Sequence, residues 1–565
     1  MTIVESTLPR DAGEPLGAGL SEPPDRHGAF PRLTDGQRAR LRAVGEVRAV
    51  QPGEILYQEG DDSYDLFVIE SGAIAIVSGY GMEDRVIAVH GAHRFLGELS
   101  LLTGSRIYMT AVVRDPGEVV QVPAASLRRL LNDDEDLAKL ILRAFLARRA
   151  ILIEIEAGVR VLGWACTPDA IRVREFLTRN RVPHRWVDLD EAEVATLAAA
   201  LTHHRTELPL VIGGQKVLRN PSNIDLAATL GLGTSGDQRR VCDLLIVGGG
   251  PAGLAAAVYG ASEGLETVAL DTVAFGGQAG TSSRIENYLG FPTGISGADL
   301  SERAIFQAGR FGARLLVAAE AKALTRTPDG HYAVTLHDGQ CWRGRAVIVA
   351  TGARYRRPNV PGLDRYMGAG VYFAATQVEA QRCAGGHVVI IGGGNSAGQA
   401  AMFLSRHAAS CDLIIRGDDL RTSMSMYLVD QLVRNPRIEI ITGSQVSGLR
   451  GDDMLESITV TESATGSRNE MAVSGLFMFI GATPATRWLG SCLATDANGF
   501  LLTGTDLPAD ALGAYGYGQP LFLETSQPRV FAVGDVRAGS VKRVASAVGE
   551  GSMAVKFVHQ RLAGR

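Results

Sequence analysis

The chain has 565 residues, 46% of them hydrophobic, and a formal net charge of −5. At roughly 150 residues per domain that length implies several domains, and so mild a negative charge argues against sequence-independent nucleic-acid binding. The six cysteines (Cys166, Cys242, Cys341, Cys383, Cys411 and Cys492) form no CxxC pair. Neither a disulfide framework nor a metal site is therefore expected. The N-terminus lacks a basic-then-apolar leader and no apolar run reaches membrane-spanning length, which points to a reducing, cytoplasmic setting.

Residues 1–32 are rich in Pro and Gly and poor in aromatics, and are expected to be disordered. Over 33–156, QPGEILYQEGDDSYDLFVIESGAIAIV alternates short apolar runs with breaks at Gly60 and Gly72, which predicts compact antiparallel β-structure. RFLGELSLLTGSRIYMTAVV follows. Gly97 permits a sharp turn, ELSLL one helical turn, and Glu98 and Arg106 are the groups to meet a ribose hydroxyl and a phosphate. From Ala124 to Gly158 apolar residues recur at spacings of three and four, predicting a helix.

This segment resembles the cyclic-nucleotide-binding domain and its phosphate cassette, G-E-L-x-L followed by R-x-A-T. Gly97, Glu98, Leu99 and Leu101 match, but Arg106 lies one residue too far from Thr110 and Ile107 stands in the arginine register. The resemblance implies a β-roll. Two readings stay open: a cyclic nucleotide held at Gly97, Glu98, Arg106 and Thr110, or a β-roll kept for dimerisation or docking with an altered pocket. In that family such a helix often pairs two chains; the alternative is that it packs on its own β-roll.

Residues 159–233 alternate strands (VRVLGW, HRWVDL, LPLVIGG, KVL) with helices (PDAIRVREFLTRN, 190–202, 222–230), the pattern of a small α/β domain. The order resembles the thioredoxin and glutaredoxin folds, with Cys166 after the first strand and Leu208-Pro209 where that family keeps a cis-proline. The family's CxxC reads CTPD here, so Asp169 replaces the second cysteine. A nearby carboxylate disfavours a thiolate. Cys166 is a weak catalytic candidate, and a degenerate redox fold kept as spacer or docking surface is the favoured reading.

Residues 240–355 begin with a strand, Gly248-x-Gly250-x-x-Gly253, a small-residue helix, and a second strand ending at Asp271, eighteen residues past Gly253. The first glycine makes the turn, the second lets backbone approach a pyrophosphate, the third lets helix meet strand, and the acid suits a ribose. Residues 356–472 repeat the plan with Gly392-x-Gly394-x-x-Ala397. Here the second strand ends at Arg416, with Arg421 nearby, so a ribose 2′-phosphate and hence NADPH is expected. In 473–565, RVFAVGDV places Asp535 between a strand and the last helix, where an acid can bind ribityl hydroxyls.

GGGPAG, FGGQ (275–278), IENYLGFP (285–292), ATG (350–352), GGGNSA, FIGATP (479–484) and VGD (533–535) together resemble the low-molecular-weight thioredoxin reductases, the class II pyridine nucleotide-disulfide oxidoreductases. The expected architecture is multidomain α/β, with two Rossmann-like domains after the β-roll and the thioredoxin-like unit. The resemblance implies a homodimer in which Gly248, Gly250, Gly253, Asp271, Gln278, Asn287 and Asp535 touch FAD, and Gly392, Gly394, Asn395, Ser396, Arg416 and Arg421 touch NADPH. The family's dithiol lies in Y-C-A-T-C. Here that register reads Phe373-Ala374-Ala375-Thr376-Gln377, so Ala374 and Gln377 occupy the two cysteine positions. Cys383, alone further along, reads as a buried apolar residue. Disulfide reduction through this segment is therefore doubtful. The acceptor of electrons is left open among a disulfide, a protein redox partner, a quinone and oxygen. The alternative is a redox- and nucleotide-sensing signalling protein whose slow turnover is gated by the N-terminal domain.

Overall fold

The computed structural model describes residue 16 and residues 20–565, apart from 62–63, 80–83, 104, 165–166, 190–204, 214–215, 233–239, 283–284, 286–287, 357, 359, 367–368, 374, 376, 453, 516–517 and 564–565. The chain divides into two compact units, Met1–Ser235 and Gly236–Arg565. No helix of the described residues is long and apolar enough to cross a membrane, and they contain no cluster of side chains able to hold a metal ion.

In the first unit two four-stranded antiparallel sheets form a β-roll. One runs Glu46–Val50, Gly117–Val122, Leu66–Ile69, Phe95–Leu96; the other runs Ile55–Tyr57, Thr110–Asp115, Ala73–Ser78, Arg85–His90. Inward residues such as Val50, Phe67, Ile74 and Phe95 are almost completely buried. The predicted helix over 124–158 is in fact two, Ala124–Asp133 and Glu135–Glu154, because the Asp134 side chain accepts the Leu137 N–H at 3.0 Å and starts the second afresh. The expectation of disorder fails for residues 20–32. Ala29 is fully buried, Glu22 pairs with Arg32 at 2.7 Å, and the Pro23 carbonyl accepts from Arg94 at 2.8 Å. Composition underestimated this segment because its anchors are contacts to the β-roll. The rest of 1–32, residue 16 apart, lies outside the described residues.

The α/β domain is a four-stranded sheet, His184–Asp188, Val159–Gly163, Leu210–Gly213, Lys216–Arg219, with helices Pro168–Arg179 and Asn223–Leu230. The Leu208–Pro209 peptide is cis. The helix expected at 190–202 and Cys166 lie outside the described residues.

In the second unit a largely parallel sheet runs Arg314–Leu316, Thr267–Leu270, Val241–Val247, Cys341–Val349, Tyr332–Leu336, Ala321–Arg326, with Val530–Ala532 added beside Cys341–Val349. Helix Pro251–Ser262 packs against helix Val544–Ala563, where a Cβ on Gly551 would stand 2.2 Å from the Ala252 carbonyl oxygen. A second, fully parallel sheet runs Val371–Tyr372, Gly475–Met478, His387–Ile391, Ser410–Ile414, Ile438–Ile441. The expected domain end at 472 is thus too early: Gly475–Met478 is a central strand of this sheet, paired by long-range contacts no local pattern reveals. The two sheets' connecting strands, Ala353–Tyr355 and Ala482–Pro484, pair antiparallel.

Candidate functional site

Each parallel sheet ends in a glycine loop that leads into a helix with no side-chain N-cap, at Gly250 and Gly394. The free N–H groups of these helix starts are therefore unclaimed by a side-chain cap, as an anion site requires. Gly248 has φ +107° and a Cβ there would sit 2.3 Å from the Ala350 oxygen; Gly392 has φ +142° and would meet the Phe479 oxygen at 2.2 Å. At Gly253 a Cβ would come within 1.9 Å of the Gly248 oxygen. These positions are closed by backbone. Gly250 and Gly394 are the reverse. The nearest atom to a Cβ on Gly250 is the Gly277 Cα at 4.0 Å, and nothing lies within 4 Å of one on Gly394. Tight turn, tight helix contact and open lip are the cradle a dinucleotide needs.

The surrounding residues hold the first loop rigid. Asp271 Oδ2 accepts the Gly249 N–H at 2.8 Å, and its Oδ1 accepts those of Val273 and Ala274 at 3.0 Å each. The FGGQ loop lies against the fingerprint, with the Gly276 N–H donating to Gly249 at 2.7 Å. Gln278 Nε2 donates to the Ala353 carbonyl. Asp535 stands in the turn Gly534–Val536, and burial raises its carboxyl pKa above the ordinary value. The sequence reading missed Glu550. Its Oε2 accepts the Gly534 N–H at 2.7 Å, and its Oε1 pairs with Arg537 at 2.5 Å, both side chains nearly buried. The signal available was an acid in the otherwise small-residue stretch AVGEGSMA. Asn287 lies outside the described residues.

Around the second loop, Asn395 Oδ1 accepts the Ser425 N–H at 2.7 Å, tying the helix start to the segment that carries the arginines. Ser396 and Arg416 are exposed, and Arg416 makes no ion pair among the described residues. Arg421 is exposed too, its guanidinium 3.9 Å from Asp419. Two exposed cations thus stand shortly after the strand Ser410–Ile414 ends.

Ala374 lies outside the described residues. Gln377 opens the short helix Gln377–Arg382. Cys383 comes directly after that helix. It is 1% exposed, its Sγ donates to Ser474 O at 3.4 Å, and burial pushes its thiol up to about 11. Burial also holds Cys242 and Cys411 at about 12, so neither supplies a thiolate. In the α/β domain Asp169 is held by neighbours on its own helix and on the loop before helix Asn223–Leu230. Arg172 binds it at 2.9 Å and Asn220 at 3.1 Å, and these hold its carboxyl below the usual range.

The β-roll cassette is arranged otherwise. Gly97 has φ +126°, and the short helix Ser100–Thr103 follows. Glu98 is buried, and Arg149 of helix Glu135–Glu154 donates twice to its Oε2, from Nε at 2.9 Å and Nη2 at 2.6 Å. The Glu98 N–H donates to Tyr64 Oη at 2.8 Å, and its Oε1 accepts the Ser100 N–H at 3.1 Å. Arg106 Nη1 donates to the Gly60 carbonyl at 3.4 Å, Thr110 Oγ1 accepts the Glu59 N–H at 3.1 Å, and Ile107 is buried. Arg148 donates to the carbonyls of Ala29, Phe95 and Gly97 at 2.8, 3.0 and 2.6 Å. Arg148 and Arg149 were missed in the sequence, although Ile141, Phe145, Arg148 and Leu152 continue one apolar stripe.

Two glycine-loop pockets on parallel sheets joined by paired strands define a two-dinucleotide oxidoreductase. Residues 242–551 match the pyridine nucleotide-disulphide oxidoreductase family, and the chain belongs to it; residues 47–134 match the cyclic nucleotide-binding domain. It is 32% identical to thioredoxin reductase of Treponema pallidum over 312 residues, 55% of this chain and 94% of that one. Its structure resembles thioredoxin reductases of Lactococcus lactis (26% identity, TM-score 0.51) and T. acidophilum (27%, 0.52), each covering 57% of this chain and 100% of the other. The chain is thus an enzyme of thioredoxin-reductase type carrying an N-terminal β-roll.

Proposed function

We propose that the chain is an FAD-dependent NADPH oxidoreductase that delivers electrons to an acceptor other than a dithiol at positions 374 and 377. The observation that carries this is the pair of open glycine lips, Gly250 and Gly394, each at a helix start, the first beside Gly248 and Gly253 and the second beside Gly392, none of which has room for a Cβ. The cofactors, when bound, supply two-electron transfer from nicotinamide to isoalloxazine and on to the acceptor. The chain's own residues bind and orient. Gly248, Gly250, Gly253, Asp271, Gln278, Asn287 and Asp535 hold FAD, with Glu550 fixing the turn that carries Asp535. Gly392, Gly394, Asn395 and Ser396 hold the NADPH pyrophosphate side, and Arg416 and Arg421 take its 2′-phosphate.

With alanine and glutamine in FAATQ, a partner disulfide, a redox protein, a quinone or oxygen must take electrons from the flavin itself. The protein acts as a homodimer, as the resemblance implies. The test is anaerobic titration of purified protein with NADPH. A yellow preparation that releases FAD and bleaches with NADPH, faster than with NADH, is the expected result. A flavin spectrum that persists under NADPH sinks the reading, as does a colourless protein that FAD cannot reconstitute. Cys166→Ser should leave this bleaching intact.

A further inference from the structure

The β-roll cassette has the sequence of a nucleotide site and the bonding of a joint. A cyclic nucleotide would need the Glu98 carboxylate for its ribose and cassette donors for its phosphate. Arg149 and the Ser100 N–H already bind that carboxylate, and the Glu98 N–H is given to Tyr64. Arg149 is a forked cation buried to 5% exposure against a carboxylate at 10%, a charge-assisted pair secluded from solvent. The same guanidinium reaches on. Its Nη1 donates to the Arg181 carbonyl at 3.2 Å, in the turn that ends helix Pro168–Arg179 of the α/β domain. Beside it the Arg106 N–H donates at 3.1 Å to the carbonyl of Leu230, the last residue of helix Asn223–Leu230. The cassette therefore meets the α/β domain at two points, the Arg181 and Leu230 carbonyls, through Arg149 and Arg106.

We propose that this cassette is the docking surface for the chain's own α/β domain, with Arg149 seated where a ribose would sit, and that it is not a cyclic-nucleotide site. At Arg106 the backbone N–H serves the Leu230 carbonyl and the side chain reaches the Gly60 carbonyl. The inference concerns the first unit and stands whether or not the flavin reading holds.

The test uses the full-length protein as purified. Calorimetry with cAMP and with cGMP on the wild type should give no saturable heat. Hydrogen exchange by mass spectrometry is then compared with the double variant Glu98→Gln/Arg149→Met, which removes both charges together and so leaves no buried ion unpaired. Exchange across 176–182 and 226–232 should rise at least about tenfold, while NADPH bleaching of the flavin is unchanged. Arg149→Lys is the milder control. Lysine can reach Glu98 but cannot fork to the Arg181 carbonyl as well, so exchange should rise at 176–182. Saturable cyclic-nucleotide binding by the wild type overturns the proposal, as does unchanged exchange at both segments in both variants.

Discussion

The β-roll cassette and the Rossmann-type loops use the same parts, a glycine at positive φ followed by a helix start, and end in opposite states. Around Gly250 the closing contacts are made by Gly248 and Gly253, and around Gly394 by Gly392, so each lip itself stays open. At Gly97 and Glu98 the chain fills its own site with Arg148, Arg149 and Tyr64. A glycine motif therefore marks a backbone able to approach a ligand. At the lips nothing crowds the approach, whereas at the cassette the buried Arg149 guanidinium holds the Glu98 carboxylate.

That contrast is tested most severely within one fingerprint. Gly253→Ala puts a methyl 1.9 Å from a backbone oxygen that cannot move aside. It should cost about 3 kcal/mol or more and yield little folded protein. Gly250→Ala meets nothing nearer than 4.0 Å. Its apo form should melt within a few degrees of the wild type, yet retain FAD poorly, read as the ratio of bound flavin to protein. Equal losses of fold in the two variants would remove the distinction between a closing glycine and an open lip.

Next in size is the coenzyme side. Arg416→Ala should raise the KM for NADPH by roughly tenfold or more, since a charge-assisted hydrogen bond contributes about 1.5–3 kcal/mol. The KM for NADH should stay level. Arg421→Ala should do the same to a smaller degree, because Asp419 at 3.9 Å already offsets part of its charge. A parallel rise for both coenzymes would make the arginines general surface cations.

How far the sequence carries follows from the range of the contacts involved. The two fingerprints were legible because turn, lip and helix contact are all encoded within a few residues of Gly248 and Gly392. The two sheets of the β-roll were legible from alternation. The break at Asp134 was legible too, in an N-cap aspartate followed by Glu135 and Asp136, but the longer apolar stripe masked it. What stayed hidden depends on partners far apart in the chain: Arg149 on Glu98, Glu550 on Gly534, and strand Gly475–Met478 inserted between Val371–Tyr372 and His387–Ile391. Arginines on an apolar stripe look like a flaw in the pattern until the carboxylate and carbonyls they bind are known.

The smallest expected effect comes from polar groups bonded to one another within the second parallel sheet. His387 and Ser410 face each other on paired strands, Nδ1 to Oγ at 2.7 Å, and His387 Nε2 lies 3.2 Å from Asp412 Oδ2. Asp412 raises the His387 pKa above its usual 6.5 by favouring the imidazolium, against a smaller opposing effect of burial. The sign follows from linkage. A cation held more tightly when folded contributes stability in full below pH about 6.5, and loses it as pH rises through the folded pKa. His387→Gln should therefore lower the melting temperature at pH 5.5 by a few degrees and hardly at all at pH 8.5, with the KM for NADPH unchanged. This cluster is at the amino ends of its strands, away from the turn at Gly392 that follows Ile391. A change in NADPH affinity would mean that groups bonded within the chain still speak to the open lip, and the separation between filled and open sites would lose its force.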